Sequence, residues 1–357
     1  MLEKLKSYRK KKVLITGNTG FKGPWLSLFL KTLGAKVIGY SDSIYWERGI
    51  FDKKNINCIK QYWGDIRNYN NIKNVIKKET PDIIFHLAAQ PIVLESYKNP
   101  YNTLTTNING TINLLDTVFK NHNNIPLVII TSDKVYNNKN ENKVFREESN
   151  IYGSCPYSSS KAACEMISES YYNISRNISI RTIRSGNVIG GGDWSENRII
   201  PDLVKNYMIN ESTIIRNPMS IRPWLYVLDV IYGYLIIGLD CIEKKGSFNS
   251  YNLSPLEKSN VTVLELAKIF LNNFNAKDLI VLGNAMRFKE KKILKLTSNK
   301  IFKELSWSNK INFEEAIRLT ALWYKEVILG KSPLKVTENN IKHYMHLLNT
   351  KEKKYAS

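Results

Sequence analysis

The feature that most constrains this 357-residue chain lies near its start, where Val13-Leu14-Ile15 runs directly into Thr16-Gly17-Asn18-Thr19-Gly20-Phe21-Lys22-Gly23 and then into the apolar stretch Pro24 to Leu30. A β-rich run, glycines at every third position and a helical pattern together describe the strand-to-helix turn of a phosphate-binding βαβ unit. The glycines supply a tight turn, let the backbone approach a pyrophosphate and bring helix and strand close. The helix start presents unpaired N–H groups and a positive dipole end to an anion. Pro24 sits in the first turn, where a missing N–H costs nothing. The GxxGxxG spacing departs from the commoner GxGxxG, and glycines also mark plain turns. Placement between a strand and a helix favours a dinucleotide.

That opening sets a rhythm. Strands are predicted at Lys12–Thr16, Lys36–Tyr40, Ile59–Trp63, Ile83–Leu87, Leu127–Thr131 and Ile178–Arg184, and helices at Gly23–Leu33, Asn68–Glu79, Asn102–Asn121 and Tyr157–Asn173. Alternation of this kind implies right-handed crossovers and an α/β fold, a Rossmann-type doubly wound parallel sheet. From Gly186 the pattern loosens into Gly190-Gly191-Gly192-Asp193, Pro201, Pro218 and Pro223, which predicts loops reaching over the sheet. The division expected is a cofactor-binding unit over 1–185 with a return segment near 224–250. A smaller, mixed C-terminal substrate-binding domain takes 186–223 and 251–350. Val263–Asn272 and Phe313–Leu329 read as late helices, and Lys351–Ser357 as a frayed basic tail.

Composition removes several function classes. No apolar run approaches the roughly 18 residues of a membrane-spanning helix. The basic start, Met1 to Lys12, is followed by too short an apolar stretch for a secretory signal. Cys58, Cys155, Cys164 and Cys241 are widely spaced, as expected of free thiols in a soluble, cytoplasmic protein. The 52 Lys and Arg against 32 Asp and Glu give a net charge of +20, which invites a nucleic-acid reading. Lysines are instead scattered among asparagines, as in Asn70-Asn71-Ile72-Lys73-Asn74, without interleaved aromatics. No nucleic-acid or membrane partner is expected. The four histidines offer no ligand set at zinc spacing, so no metal is expected.

Chemistry is concentrated in two segments. Tyr157 and Lys161 stand four apart, on one face of a helix. A phenol titrates near 10, and a nearby ammonium favours its phenolate. Such a pair is common on surfaces. It gains meaning from Thr131-Ser132-Asp133-Lys134 at the C-terminal end of the Leu127–Ile130 strand, where open α/β sheets place ligands. Asp42, about 20 residues past the glycine loop, suits a ribose hydroxyl and disfavours a 2′-phosphate, so NAD is favoured over NADP. Turn capping is the plainer reading of Asp42 and of Asp133-Lys134, and Ser132 reads equally as a strand-end cap.

Taken together, these segments resemble the extended short-chain dehydrogenase/reductases, and within them the nucleotide-sugar 4,6-dehydratases, most closely the group acting on CDP-glucose. The resemblance spans nearly the whole chain. Thr16–Gly23 is similar to the family's phosphate loop, Gly64-Asp65-Ile66-Arg67 to its adenine-side turn, and His86-Leu87-Ala88-Ala89-Gln90 to the segment along the cofactor. Ser132 with Pro156–Lys161 resembles its Ser/Thr–Tyr–Lys set. Arg184 to Trp194, Ile215-Arg216-Asn217-Pro218 and Arg222-Pro223-Trp224 resemble its nicotinamide and nucleotide loops. Trp224-Leu225-Tyr226-Val227 stands where the CDP group more often reads Trp-Gln-His-Val, and Cys155 where Asp is common. These departures bear on the nucleotide base, not on the chemistry.

The resemblance implies NAD held by Gly17, Asn18, Thr19, Gly20, Phe21, Gly23, Asp42, Asp65, Ile66, Leu87, Ala88 and Ala89, with Tyr157 and Lys161 at the nicotinamide ribose. It implies a nucleotide sugar held by Gln90, Asn187, Arg198, Arg216 and Arg222, since guanidinium forks suit phosphate. Tyr157 is then the base on the sugar 4-hydroxyl, tuned by Lys161, with Ser132 on the same oxygen. Hydride leaves C4 for NAD, the C5 proton becomes acidic beside the new ketone, water leaves from C6, and the hydride returns there. Asp133 takes the place of the acid for that elimination. Lys134 is either a neutralised base or a cation stabilising the enolate. The product expected is CDP-4-dehydro-6-deoxyglucose, for deoxysugar and lipopolysaccharide synthesis, and the family's helical contact implies a homodimer.

Overall fold

A computed structural model describes residues 2–120, 124–138, 143–255, 261–283 and 293–353. Its centre is a parallel sheet of seven strands: β1 (Lys12–Thr16), β2 (Lys36–Ser41), β3 (Lys60–Trp63), β4 (Ile83–His86), β5 (Leu127–Ile130), β6 (Ile180–Ser185) and β7 (Phe248–Leu253). The spatial order is β7-β6-β5-β4-β1-β2-β3. Order reverses beside β1, which opens the crevice at the strands' C-terminal ends where doubly wound sheets bind ligands.

The sheet is covered on both faces. Val13, Ile15, Ile83, Phe85, Val128 and Ile130 point to one core, while Leu14, Ile84, Leu127 and Ile129 point to the other. Burial of both faces is why these strands read as unbroken apolar runs. The helices α1 (Lys22–Thr32), α2 (Tyr69–Glu79), α3 (Gly110–Lys120) and α4 (Pro156–Ile174) lie close to their expected places. The stretch expected as one helix over Asn102–Asn121 is Pro100–Leu104, a π-helical turn at Thr105–Asn109, and then α3; Asn121 lies outside the described residues. Asn107 lies within that turn, and its side chain bonds the Gln90 N–H and C=O and the Ser160 hydroxyl.

Beyond β6 come α5 (Ile199–Met208), α6 (Val227–Glu243), α7 (Val263–Asn272), α8 (Phe313–Ile328) and α9 (Pro333–Lys353). Helix α6, buried from Val227 to Cys241, packs against the sheet, and β7 adds a strand beside β6. A helix apolar all round lacks the polar face by which periodicity reveals helices, so α6 was legible only as a return segment. Helix α9 carries the chain to Lys353, through part of the expected tail, and docks on α1: the Tyr344 ring meets Phe29 edge-on at 6.4 Å. Residues 354–357 lie outside the described residues. No helix among the described residues is long and apolar enough to cross a membrane.

Candidate active site

The phosphate cradle follows from the steric demands of three glycines. Gly17 has φ +71°, and a Cβ there would lie 2.6 Å from the Ala88 backbone nitrogen. A Cβ on Gly23 would lie 2.5 Å from the Gly17 carbonyl oxygen. Both are glycines because the fold requires it. Gly20 is different, since its Cβ would meet nothing nearer than the Gly17 oxygen at 3.6 Å. It faces open space beside the start of α1, which carries neither a side-chain cap nor an acidic residue in its first turn. The helix's N–H donors and positive dipole end are therefore left for an anion.

Asn18 and Thr19 brace this loop from behind. The Asn18 side chain accepts from the Ser41 hydroxyl at 2.8 Å and donates to Gln61, while the Thr19 hydroxyl donates to the Ser43 carbonyl at 2.7 Å. Asp42 is exposed just beyond β2, with one carboxylate oxygen accepting from Tyr45. Asp65 is paired with Arg67, which holds its carboxyl below the usual range, and Ile66 is buried beneath Gly110. Phe21, Leu87 and Ala89 line the cleft, and Ala88 closes on Gly17. Gln90 does not line it. Its side chain accepts from Ile92 N and donates to Ile92 O and Thr103, so it braces the loop that presents Pro91 and Ile92. Partly buried backbone groups need such partners, and the substrate role expected of Gln90 is not supported by this placement.

At the C-terminal end of β5 the reacting groups meet. Ser132, Asp133, Lys134, Tyr157 and Lys161 all line one cleft. Lys161, buried in α4, donates from Nζ to the carbonyl of Ile130 at 2.9 Å. Burial lowers its pKa, and the neighbouring Lys22 ammonium lowers it further. Tyr157 is buried too, which pushes its phenol up to about 12; the Ser132 hydroxyl bonded to it and the Arg198 charge pull the other way. Arg198 is thus a second cation near the phenol, beside the Lys161 expected from spacing. Asp133 is 3% exposed. One of its oxygens accepts from Ser132, and the other, Oδ2, is the single buried side-chain polar atom without a partner among the described residues. Desolvation raises its pKa, against the pull of Lys134, Ser132 and Arg222.

Three guanidinium groups and Asn187 line the same cleft. Arg222 is 5% exposed and donates to the Ile221 carbonyl. Arg198 pairs with Asp193 at 3.0 Å, and Arg216 donates to Asn197 with Asp202 at 4.0 Å. One cleft thus gathers Phe21 and Lys22 of the glycine loop, the Ser–Asp–Lys turn, the Tyr–Lys helix and the arginines.

Residues 14–320 match the sequence profile of the GDP-mannose 4,6 dehydratase family. The chain belongs to the nucleotide-sugar 4,6-dehydratase family. A CDP-glucose 4,6-dehydratase of Salmonella typhimurium is 34% identical over 95% of this chain and 97% of its own. Among solved structures, a dTDP-glucose 4,6-dehydratase of Bacillus anthracis in complex with NAD superposes with a TM-score of 0.76 at 24% identity, covering 91% of this chain and 99% of that one. A UDP-glucose 4-epimerase of Thermotoga maritima superposes with a TM-score of 0.79 at 22% identity, covering 89% and 99%.

In and around the cleft stand further side chains that the sequence did not single out. Lys22, inside the glycine loop, reaches Tyr234 at 2.8 Å and lines the cleft; burial of its ammonium lowers its pKa to about 7. Its place within Thr16–Gly23 was the available signal. Asn107 and the Glu165–Arg184 pair carried no such signal, because what matters is which side chains they meet in space.

Proposed function

We propose that the chain dehydrates a nucleoside-diphosphate hexose with NAD, and that its substrate is CDP-glucose, converted to CDP-4-dehydro-6-deoxyglucose. The observation that carries this reading is Asp133, a buried, protonation-prone carboxyl with an unpartnered oxygen, beside Ser132 and the Tyr157 phenol in one cleft. A 4-epimerase would share the cradle and the Tyr–Lys helix but needs no acid for water loss. The fold alone does not separate the two, since solved epimerases superpose equally well.

The residues present fit NAD: an uncapped helix N-terminus, a glycine at 20 opening onto free space, and a carboxylate at 42 suited to a ribose hydroxyl. Bound there, NAD would supply a reversible hydride acceptor for the sugar. Tyr157 takes the 4-hydroxyl proton in its phenolate form, which the bond from Ser132 and the Arg198 charge favour. Asp133 gives a proton to the departing 6-hydroxyl, for which its raised pKa prepares it. Lys134 withdraws the C5 proton or steadies the enolate formed there. Asn187, Arg198, Arg216 and Arg222 hold the diphosphate. Identity to the Salmonella CDP-glucose enzyme along almost the full length supports the CDP assignment.

A homodimer through α4 and the α3 region fits the exposed Tyr101, Met166 and Ile174 on those elements, at 76%, 63% and 69%. Free thiols at all four cysteines fit a cytoplasmic setting. The test is incubation with CDP-, dTDP- and UDP-glucose and GDP-mannose, following the 4-keto-6-deoxy product. Turnover of CDP-glucose ahead of the others is expected. C4 inversion with retention of the 6-hydroxyl overturns the dehydratase reading, and preference for another nucleotide overturns the base assignment.

A further inference from the structure

Behind the cleft lies a buried polar network that neither the family's reaction nor the site described above requires. Glu165 stands one turn past Lys161 on α4 and is 2% exposed. Its carboxylate is gripped by Arg184 of β6 through two bonds, Nε to Oε1 and Nη2 to Oε2, each 3.0 Å. It also accepts from the hydroxyls of Thr131, next to Ser132, and of Thr182 on β6. Arg184 continues outward. Its Nη1 donates to the Tyr136 hydroxyl at 3.0 Å and to the Glu147 carbonyl at 2.9 Å. The Tyr136 hydroxyl in turn donates to Asn252 of β7 at 2.6 Å, and the Tyr136 ring stacks on Phe145 at 5.1 Å.

The Ser132–Asp133–Lys134 turn is therefore tethered on both sides, at Thr131 through Glu165 and at Tyr136 through Arg184. The Tyr157–Lys161 helix is tied to the same pair. A buried carboxylate–guanidinium pair is a poor source of stability, because desolvation offsets its attraction. Its fork geometry does fix orientation. We infer that Tyr136, Arg184 and Glu165 are positioning residues for water elimination: they set where Asp133 and Lys134 stand relative to a sugar already held by Tyr157. This rests on the dehydratase reading.

The Tyr136→Phe variant isolates the effect, since it removes the bonds to Arg184 and Asn252 while keeping the ring against Phe145. The unaltered chain is measured first; failure to form any 4-keto-6-deoxy sugar there sinks the dehydratase reading itself, and with it this inference. With an active parent, the expected result in Tyr136→Phe is an unchanged rate of C4 oxidation, read as reduced-nicotinamide absorbance in a single turnover. Elimination should slow by about ten- to a hundredfold, the scale of a small misplacement of reacting groups, so that the absorbance accumulates. Melting should stay close to that of the parent. Equal slowing of both steps, or no slowing of either, overturns the assignment. If Tyr136→Phe is not recovered folded, Arg184→Lys keeps a cation on Glu165 but loses the fork, and the same split between steps is required of it.

Discussion

Lys161 donates from Nζ to the carbonyl of Ile130 at 2.9 Å, which hooks the helix bearing Tyr157 to the last residue of the strand whose continuation bears Ser132 and Asp133. Two catalytic segments far apart in sequence thus share one anchor. On the proposed mechanism the first half of the reaction draws on the helix and the second on the turn, so mutation should separate their roles.

Tyr157→Phe should remove turnover by about a thousandfold or more, in the upper range for a positioned acid–base group. NAD binding, followed by protein fluorescence quenching, should persist, because the glycine cradle is untouched. Full activity in this variant would take Tyr157 out of its role.

Asp133→Asn should leave C4 oxidation measurable and slow elimination by about a hundredfold or more. The check is transient reduced-nicotinamide absorbance alongside product formation. Normal dehydration would move the acid to another group.

The glycine loop separates fold from ligand. Gly17→Ala forces a Cβ to 2.6 Å from the Ala88 nitrogen at positive φ, and should cost about 2 kcal/mol of stability. Gly20→Ala has room, so melting should match the parent while NAD affinity by titration falls about tenfold, the close approach of the pyrophosphate being lost. Equal NAD affinity in parent and Gly20→Ala would show that no phosphate passes there.

Asp229 provides a pH dependence. Fully buried, it accepts from Lys310 N, Ile311 N and the Tyr344 hydroxyl, yet desolvation outweighs these bonds and raises its pKa from 3.8 to about 6. Because the folded chain holds this proton more tightly than the unfolded one, stability is greatest below pH 4 on this account. It falls between about pH 4 and pH 6, by up to about 3 kcal/mol at 1.36 kcal/mol per unit. Asp229→Asn lacks the titration, so the melting temperature of the parent should fall relative to that of the variant as pH rises through that window. A relative rise would mean that the N–H donors favour the carboxylate after all.

The amount legible in advance differs by element. Strands β1, β4 and β5 were readable because burial on both faces leaves short apolar runs bounded by turns, whereas the edge strand β3 is partly exposed and was placed by the alternating rhythm. The cradle was readable because its glycines stand at fixed spacing between a strand and a helix, although the contact that demands Gly17 comes from Ala88 across the fold. Helix α6 and strand β7 were visible only as a return, since a wholly buried helix shows no amphipathic period. Gln90 looked like a ligand from its neighbours in sequence, and the loop's own unsatisfied backbone claimed it. The π turn at Thr105–Asn109 holds Asn107, whose partners across the fold no local pattern encodes.

Sequence alone determined the parallel α/β order, the phosphate loop and the identities of Ser132, Asp133, Tyr157 and Lys161, because these depend on periodicity and on residue types at fixed spacing. Only the tertiary structure decided that Asp133 is buried with a free oxygen, that Arg198 comes close enough to oppose the rise at Tyr157, and that Glu165 and Arg184 tie the Ser132–Lys134 turn to the Tyr157–Lys161 helix. Desolvation and charge proximity depend on which distant segments pack against a group, and that is set by the whole fold.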